Sequence, residues 1–121
     1  MIDHMGLAVS NLARSRAFYQ AALAPLGYAT IMEFDGAVGL GVPPKPDFWL
    51  SAGNPGMPAL HLAFAAATRG AVDAFYAAAI AAGGRDNGAP GLRTHYHPDY
   101  YGAFVLDPDG HNIEAVCHKP A

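Results

Sequence analysis

The chain has 121 residues and a mass of 12.6 kDa, a size that supports one domain with a core and leaves no room for two. Hydrophobic residues make up 52% and charged residues 14%, which excludes intrinsic disorder, and a net charge of -3 with seven scattered Lys and Arg excludes a phosphate-binding nucleic-acid surface. A single cysteine, Cys117, rules out an internal disulfide and a cysteine-based zinc site; with no apolar run of roughly 18 residues and no signal-peptide pattern at the start, a cytoplasmic globular domain without a membrane partner is expected.

Residues 2–9 read as a short half-buried strand, followed by Ser10-Asn11 as a helix N-cap. Leu12, Phe18 or Tyr19, Ala22 and Leu23 recur at helical spacing, and Pro25 and Gly27 stop the helix. Three strands are predicted at 28–34, 37–42 and 48–51. Asp35-Gly36 makes a hairpin between the first two, and Pro43-Pro44-Lys45-Pro46 forms a connection before the third. Residues 51–58, with two glycines and two prolines, join this half to a second.

The second half repeats the first: His4 lies on His61, Phe18-Tyr19 on Phe75-Tyr76, and Gly27 on Gly84. Residues 60–66 form its opening strand, Thr68 caps a helix, and Gly83-Gly84 ends it. Residues 85–100 are polar, aromatic and turn-rich, with room for at most one short strand. Strands at 101–106 and 112–117 form a hairpin around Asp107-Pro108-Asp109-Gly110. The expected fold is α+β: residues 1–121 as a single domain of two βαβββ modules, with repeats at 1–50 and 58–119, helices on one sheet face and a cleft on the other.

Strand alternation sorts the side chains by face. Met5, Leu7 and Val9 share one face and leave His4, Gly6 and Ala8 on the other. Leu60, Leu62 and Phe64 oppose His61, Ala63 and Ala65, and Ile113, Ala115 and Cys117 oppose Glu114. The bulky apolar faces pack on the helices, so His4, His61 and Glu114 stand on the open side among small neighbours. Two imidazoles and one carboxylate form a ligand set for a divalent metal with open positions, Fe, Mn, Ni or Zn. The same positions also suit ordinary polar residues on the solvent side of an antiparallel sheet.

These residues resemble the vicinal oxygen chelate superfamily, which holds glyoxalase I, extradiol dioxygenases, and the bleomycin and fosfomycin resistance proteins. The marks are the His4 strand leading to a helix with Phe18-Tyr19, the His61 strand, and Asp107-Pro108-Asp109-Gly110 followed by Ile113-Glu114. The resemblance covers essentially the whole chain. It implies an open eight-stranded half-barrel around a metal cleft, with ligands at His4, His61 and Glu114 and Glu114 as the catalytic carboxylate. It also implies a homodimer, which the Ala-rich helix surfaces permit. A further acidic ligand of glyoxalase I-like members is matched here by Trp49, which cannot ligate a metal. The three remaining ligands resemble the extradiol dioxygenase pattern. Two functions follow: a metal-dependent enzyme acting on vicinal oxygens of a small substrate by lyase, isomerase or dioxygenase chemistry, or a metal-free protein sequestering an aromatic or cationic molecule.

Residues 93–101 crowd Arg93, His95, Tyr96, His97, Asp99, Tyr100 and Tyr101 together. Arg93, His97 and Tyr100 are expected at the cleft mouth as substrate-binding residues, Arg93 pairing an anionic or carbonyl group, with Trp49 either in the core or as a stacking wall for an aromatic ligand. The same loop also suits a lid edge whose aromatics cover the cleft. His111 is expected to face solvent in its turn, and Cys117 to be a buried, inert thiol.

Overall fold

The computed structural model describes residues 1–55 and 59–121. The first module holds β1 (Met5–Val9), α1 (Leu12–Leu23), β2 (Ala29–Phe34), β3 (Ala37–Gly41) and β4 (Phe48–Ala52). The second holds β5 (His61–Ala65), α2 (Arg69–Ala81), β6 (Arg85–Leu92), β7 (Tyr101–Leu106) and β8 (Asn112–Cys117). Each module makes its own four-stranded sheet, in the orders β1-β4-β3-β2 and β5-β8-β7-β6. The opening strand of each module runs parallel to its last strand, β1 to β4 and β5 to β8, and the other neighbours are antiparallel. The chain therefore has the expected mixed α+β fold of two βαβββ modules, with its strands in two sheets rather than a closed barrel. Of the predicted joining stretch, residues 51 and 52 belong to β4, and residues 56–58 lie outside the described residues.

Local chemistry sets the helix limits. The Asn11 side chain accepts a hydrogen bond from the Arg14 amide (3.0 Å) and Thr68 accepts one from the Ala71 amide (3.0 Å), each satisfying a donor that a helix start leaves free. After α1, a 3₁₀ turn at Ala24–Leu26 closes on Gly27, whose φ of 89° lies in the left-handed region. Gly84, its counterpart in the repeat, is a glycine for another reason. A Cβ there would sit 2.7 Å from Phe18 Cε1 and 2.8 Å from the Ala79 carbonyl oxygen, so a side chain would push the two helices apart. Gly84→Ala is expected to lower the unfolding free energy by about 1–3 kcal/mol, the usual range for overpacking, as measured by urea denaturation. A loss below about 0.5 kcal/mol would show that Phe18 moves aside freely.

The apolar faces meet in one core. Phe18, Tyr19, Ala22 and Leu23 of α1 and Val72, Phe75 and Ala79 of α2 are fully buried against Leu7, Val9, Leu40, Phe48 and Leu50 of the first sheet and Val105, Ile113 and Ala115 of the second. Each large side chain buried this way stabilises the fold by about 1.5–3 kcal/mol. Phe48 meets both Tyr19 (5.0 Å between ring centroids) and Phe64 (5.3 Å) edge to face, and thereby stitches the modules together. A polar tie does the same: the Tyr19 hydroxyl donates to Asp107 Oδ2 (2.5 Å), joining α1 to the β7–β8 turn.

Two expectations need correction. Residues 85–100 hold an eight-residue strand, β6, the longest among the described residues, where at most one short strand was expected. It lies at the sheet edge, which tolerates Pro90, and it accommodates Gly88 through register shifts against β7. His111 is buried, at 1% exposure, not solvent-facing. Its amide donates to Asp107 Oδ1 (2.8 Å) and its Nδ1 accepts the Leu60 amide (2.8 Å), so the turn folds the imidazole inward onto the strand start before His61.

Candidate functional site

The open face of the second sheet gathers the polar chemistry. Glu114 stands in the middle of β8 with its side chain 2% exposed, and His61 starts the adjacent β5. His61 Nδ1 faces the Asn112 carbonyl oxygen at 3.0 Å, and a carbonyl only accepts, so Nδ1 carries a proton. Nε2 then faces Glu114 Oε1 at 3.2 Å. A neutral imidazole would set a lone pair against a carboxylate oxygen there. At that distance a shared proton or a metal cation can bridge the two atoms. The Tyr100 hydroxyl donates to the other carboxylate oxygen, Glu114 Oε2.

Phe104 sits opposite Glu114 in the β7–β8 ladder, and the His61 ring stacks on it (6.3 Å between centroids, 24° between planes). The Arg93 guanidinium lies over the same Phe104 ring at 5.5 Å and donates to the Ala89 carbonyl (2.8 Å). Among the described residues it has no carboxylate partner at ion-pair distance, unlike Arg16, Lys45 and Arg69. A cavity of about 450 Å³ opens here, lined by His61, Tyr96, Tyr100, Phe104, Asn112 and Glu114.

His4 lies elsewhere. It precedes β1, is 60% exposed in its side chain, and lines a separate cavity of about 320 Å³ with Asp3, Tyr28, Asp47 and residues 62–65. Its Nδ1 pairs with Asp3 Oδ2 (2.7 Å), which leaves Nε2 free; that hydrogen bond and the Lys45 ammonium hold the Asp3 carboxyl below its ordinary range. Within one chain, no group of three His, Cys, Asp or Glu side chains among the described residues is placed to hold a metal.

Trp49 lies on the open face of the first sheet, flat over Gly39, where a Cβ would come within 2.9 Å of its ring. It stacks on the exposed Phe34 (6.1 Å, 13°). The structure thus places Trp49 and His4 with the first sheet, and His61, Glu114, Tyr100 and Arg93 with the second. His97 accepts the Asp99 amide through Nδ1 (3.0 Å), and its ring turns to His118 (5.8 Å) instead of lining the His61 cavity. Tyr96, named in the sequence only as part of the crowded 93–101 stretch, lines that cavity, as does Phe104, which sequence reasoning did not single out. For Phe104 a signal existed: with Leu106 opposite Asn112 across the Asp-Pro-Asp-Gly turn, two-residue alternation sets Phe104 against Glu114.

A family model for the glyoxalase/bleomycin resistance protein/dioxygenase superfamily matches residues 1–115. The chain belongs to that superfamily. Among solved structures, a glyoxalase/bleomycin resistance protein from Albidiferax ferrireducens T118 is 31% identical, with a TM-score of 0.80 and 98% of each chain covered. A glyoxalase/bleomycin resistance protein/dioxygenase family enzyme from Burkholderia phytofirmans PsJN is 23% identical (TM-score 0.76, 98% of each chain). A lactoylglutathione lyase from Agrobacterium tumefaciens is 17% identical (TM-score 0.68, 97% of this chain and 92% of that one). The last two likenesses establish the fold alone. No curated protein matches the chain. In this glyoxalase-superfamily chain, Gly6 and Gly39 are the strand neighbours of Trp49, so the first sheet presents an aromatic surface and the second a charged one.

Proposed function

We propose that the chain is a metal-dependent enzyme of the glyoxalase superfamily that acts on a small substrate with vicinal oxygens. The observation that carries this is the opposition of His61 Nε2 and Glu114 Oε1 across 3.2 Å, with His61 Nδ1 already committed to the Asn112 carbonyl. A backbone acceptor on one ring nitrogen is how proteins orient a metal-binding imidazole, and a carboxylate on His4 Nδ1 does the same for the third ligand. His61 and Glu114 would hold the ion together with His4 of a second copy, because His4 of the same chain lines a different cavity. A homodimer completes the cleft on this reading and brings the Trp49–Phe34 surface over the charged sheet. A bound divalent ion supplies Lewis-acid polarisation of adjacent substrate oxygens. Arg93, fixed over Phe104 without a carboxylate partner, pairs an anionic or carbonyl group of the substrate, and Tyr96 and Trp49 wall the cleft.

A second reading, a metal-free protein that sequesters an organic cation, is favoured by one observation. Tyr96, Tyr100 and Phe104 surround the buried Glu114 carboxylate, and aromatic faces beside a negative charge attract cations. Metal uptake separates the two. Anaerobic isothermal titration with Fe(II), Mn(II), Ni(II) or Zn(II) is expected to show saturable binding that weakens at acid pH, since the imidazoles must be neutral. His61→Ala is expected to abolish it. Equal uptake by the variant, or none by the wild type, would overturn the metal reading.

A further inference from the structure

Glu114 has two oxygens, and carboxylates bind cations through one or both. In this chain the two are not equivalent. Oε1 faces His61 Nε2, whereas Oε2 receives the Tyr100 hydroxyl. Tyr100 is itself held firmly. Its ring meets Tyr96 (5.0 Å) and His118 (5.1 Å) edge to face, its amide donates to the His97 carbonyl (3.1 Å), and its carbonyl accepts the Arg93 amide (2.7 Å).

The contact depends on a missing side chain. A Cβ on Gly102 would stand 3.2 Å from Tyr100 Cε1 and 3.3 Å from Glu114 Oε2, tighter than ordinary contact with both partners at once. Gly102 has no left-handed backbone to account for the glycine. The space above its Cα is the physical reason for it.

Resting on the metal-holding reading above, we propose that Tyr100 is a positioning residue. Its hydroxyl, seated over Gly102, restricts Glu114 to ligation through Oε1 and reserves coordination positions for the two oxygens of a substrate. Two imidazoles and a one-oxygen carboxylate leave open positions on a six-coordinate ion; a two-oxygen carboxylate would take one of them. Tyr100 therefore acts on substrate access through Glu114, and its hydroxyl is not available to the substrate while that bond stands.

The test is a Co(II) titration of the full chain followed by visible absorption, comparing wild type, Tyr100→Phe and Gly102→Ala. Both variants are expected to bind Co(II) about tenfold more weakly, the scale of losing an outer partner of a ligand. Both should also show a shifted d–d band, because a second carboxylate oxygen replaces water in one of the open positions. Tyr100→Phe keeps the ring packing, so it decides the matter alone if Gly102→Ala fails to fold. Wild-type binding with an unchanged dissociation constant and band in Tyr100→Phe would overturn the positioning role and leave the metal reading intact. Absence of Co(II) binding in the wild type would overturn the metal reading first, and this proposal with it.

Discussion

Mixing His4→Ala and His61→Ala chains is expected to restore metal binding that neither variant shows alone. Each homodimer would lack one imidazole at both of its sites. In a mixed dimer one site lacks both imidazoles, while the other combines an intact His4 from one chain with an intact His61 and Glu114 from the other chain. Random pairing in a two-fold dimer makes half the dimers mixed, so capacity should recover to about a quarter of wild type. The expectation follows from the separation of His4 from the His61–Glu114 pair in different cavities. A site completed within one chain predicts no recovery at any mixing ratio, since every chain then carries its own defect. Equilibrium dialysis after co-refolding reads the result directly, and light scattering reports whether mixed dimers formed. Dimers without recovered binding would sink the shared site.

Asp107→Ala is expected to be the most destabilising single change outside the apolar core. Asp107 is 3% exposed and serves three donors: the Tyr19 hydroxyl at 2.5 Å, the Asp109 amide at 2.9 Å and the His111 amide at 2.8 Å. Bonds to a charged acceptor contribute about 1.5–3 kcal/mol each, and a buried donor left without a partner costs about 1–3 kcal/mol. Because the three donors share one acceptor their losses do not add fully, and a net loss of about 3–5 kcal/mol is expected. For a chain of this size that lowers Tm on the order of 10 °C or more. Tyr19→Phe removes one donor and leaves the turn amides bonded, so it should lose only about 1–2 kcal/mol. Near-equal losses in the two variants would place the whole effect in the Tyr19 contact. A loss below about 1 kcal/mol for Asp107→Ala would show that water replaces the carboxylate.

Those expectations draw on different levels of the molecule. Helix limits were legible from the sequence because they are local: Asn11 and Thr68 cap amides only three residues away, and Gly27 supplies a left-handed φ at its own position. The faces of His61 and Glu114 were legible for the same reason. Strand alternation is a property of the backbone itself, and a hairpin turn sets its own register. The family resemblance rested on these local features and agrees with the family model.

What lay beyond the sequence depended on contacts between distant segments. Residues 85–92 look like a poor strand by composition, since they contain Gly88, Pro90 and Gly91, and they form one because β7 offers an edge to pair with. His111 looks like an exposed turn residue until Asp107 and the Leu60 amide draw it inward. Tyr100 reads as a residue free to meet a substrate, yet Glu114, fourteen positions away, takes its hydroxyl over the gap left by Gly102. Strand and helix periodicity act within a few residues, and they were enough to specify two βαβββ modules, their apolar faces, and the residue types on the open ones. That His61 and Glu114 meet while His4 lies apart came from packing instead. The helices bind the modules through their apolar faces, and the placement of one sheet relative to the other is a packing outcome that no local period encodes.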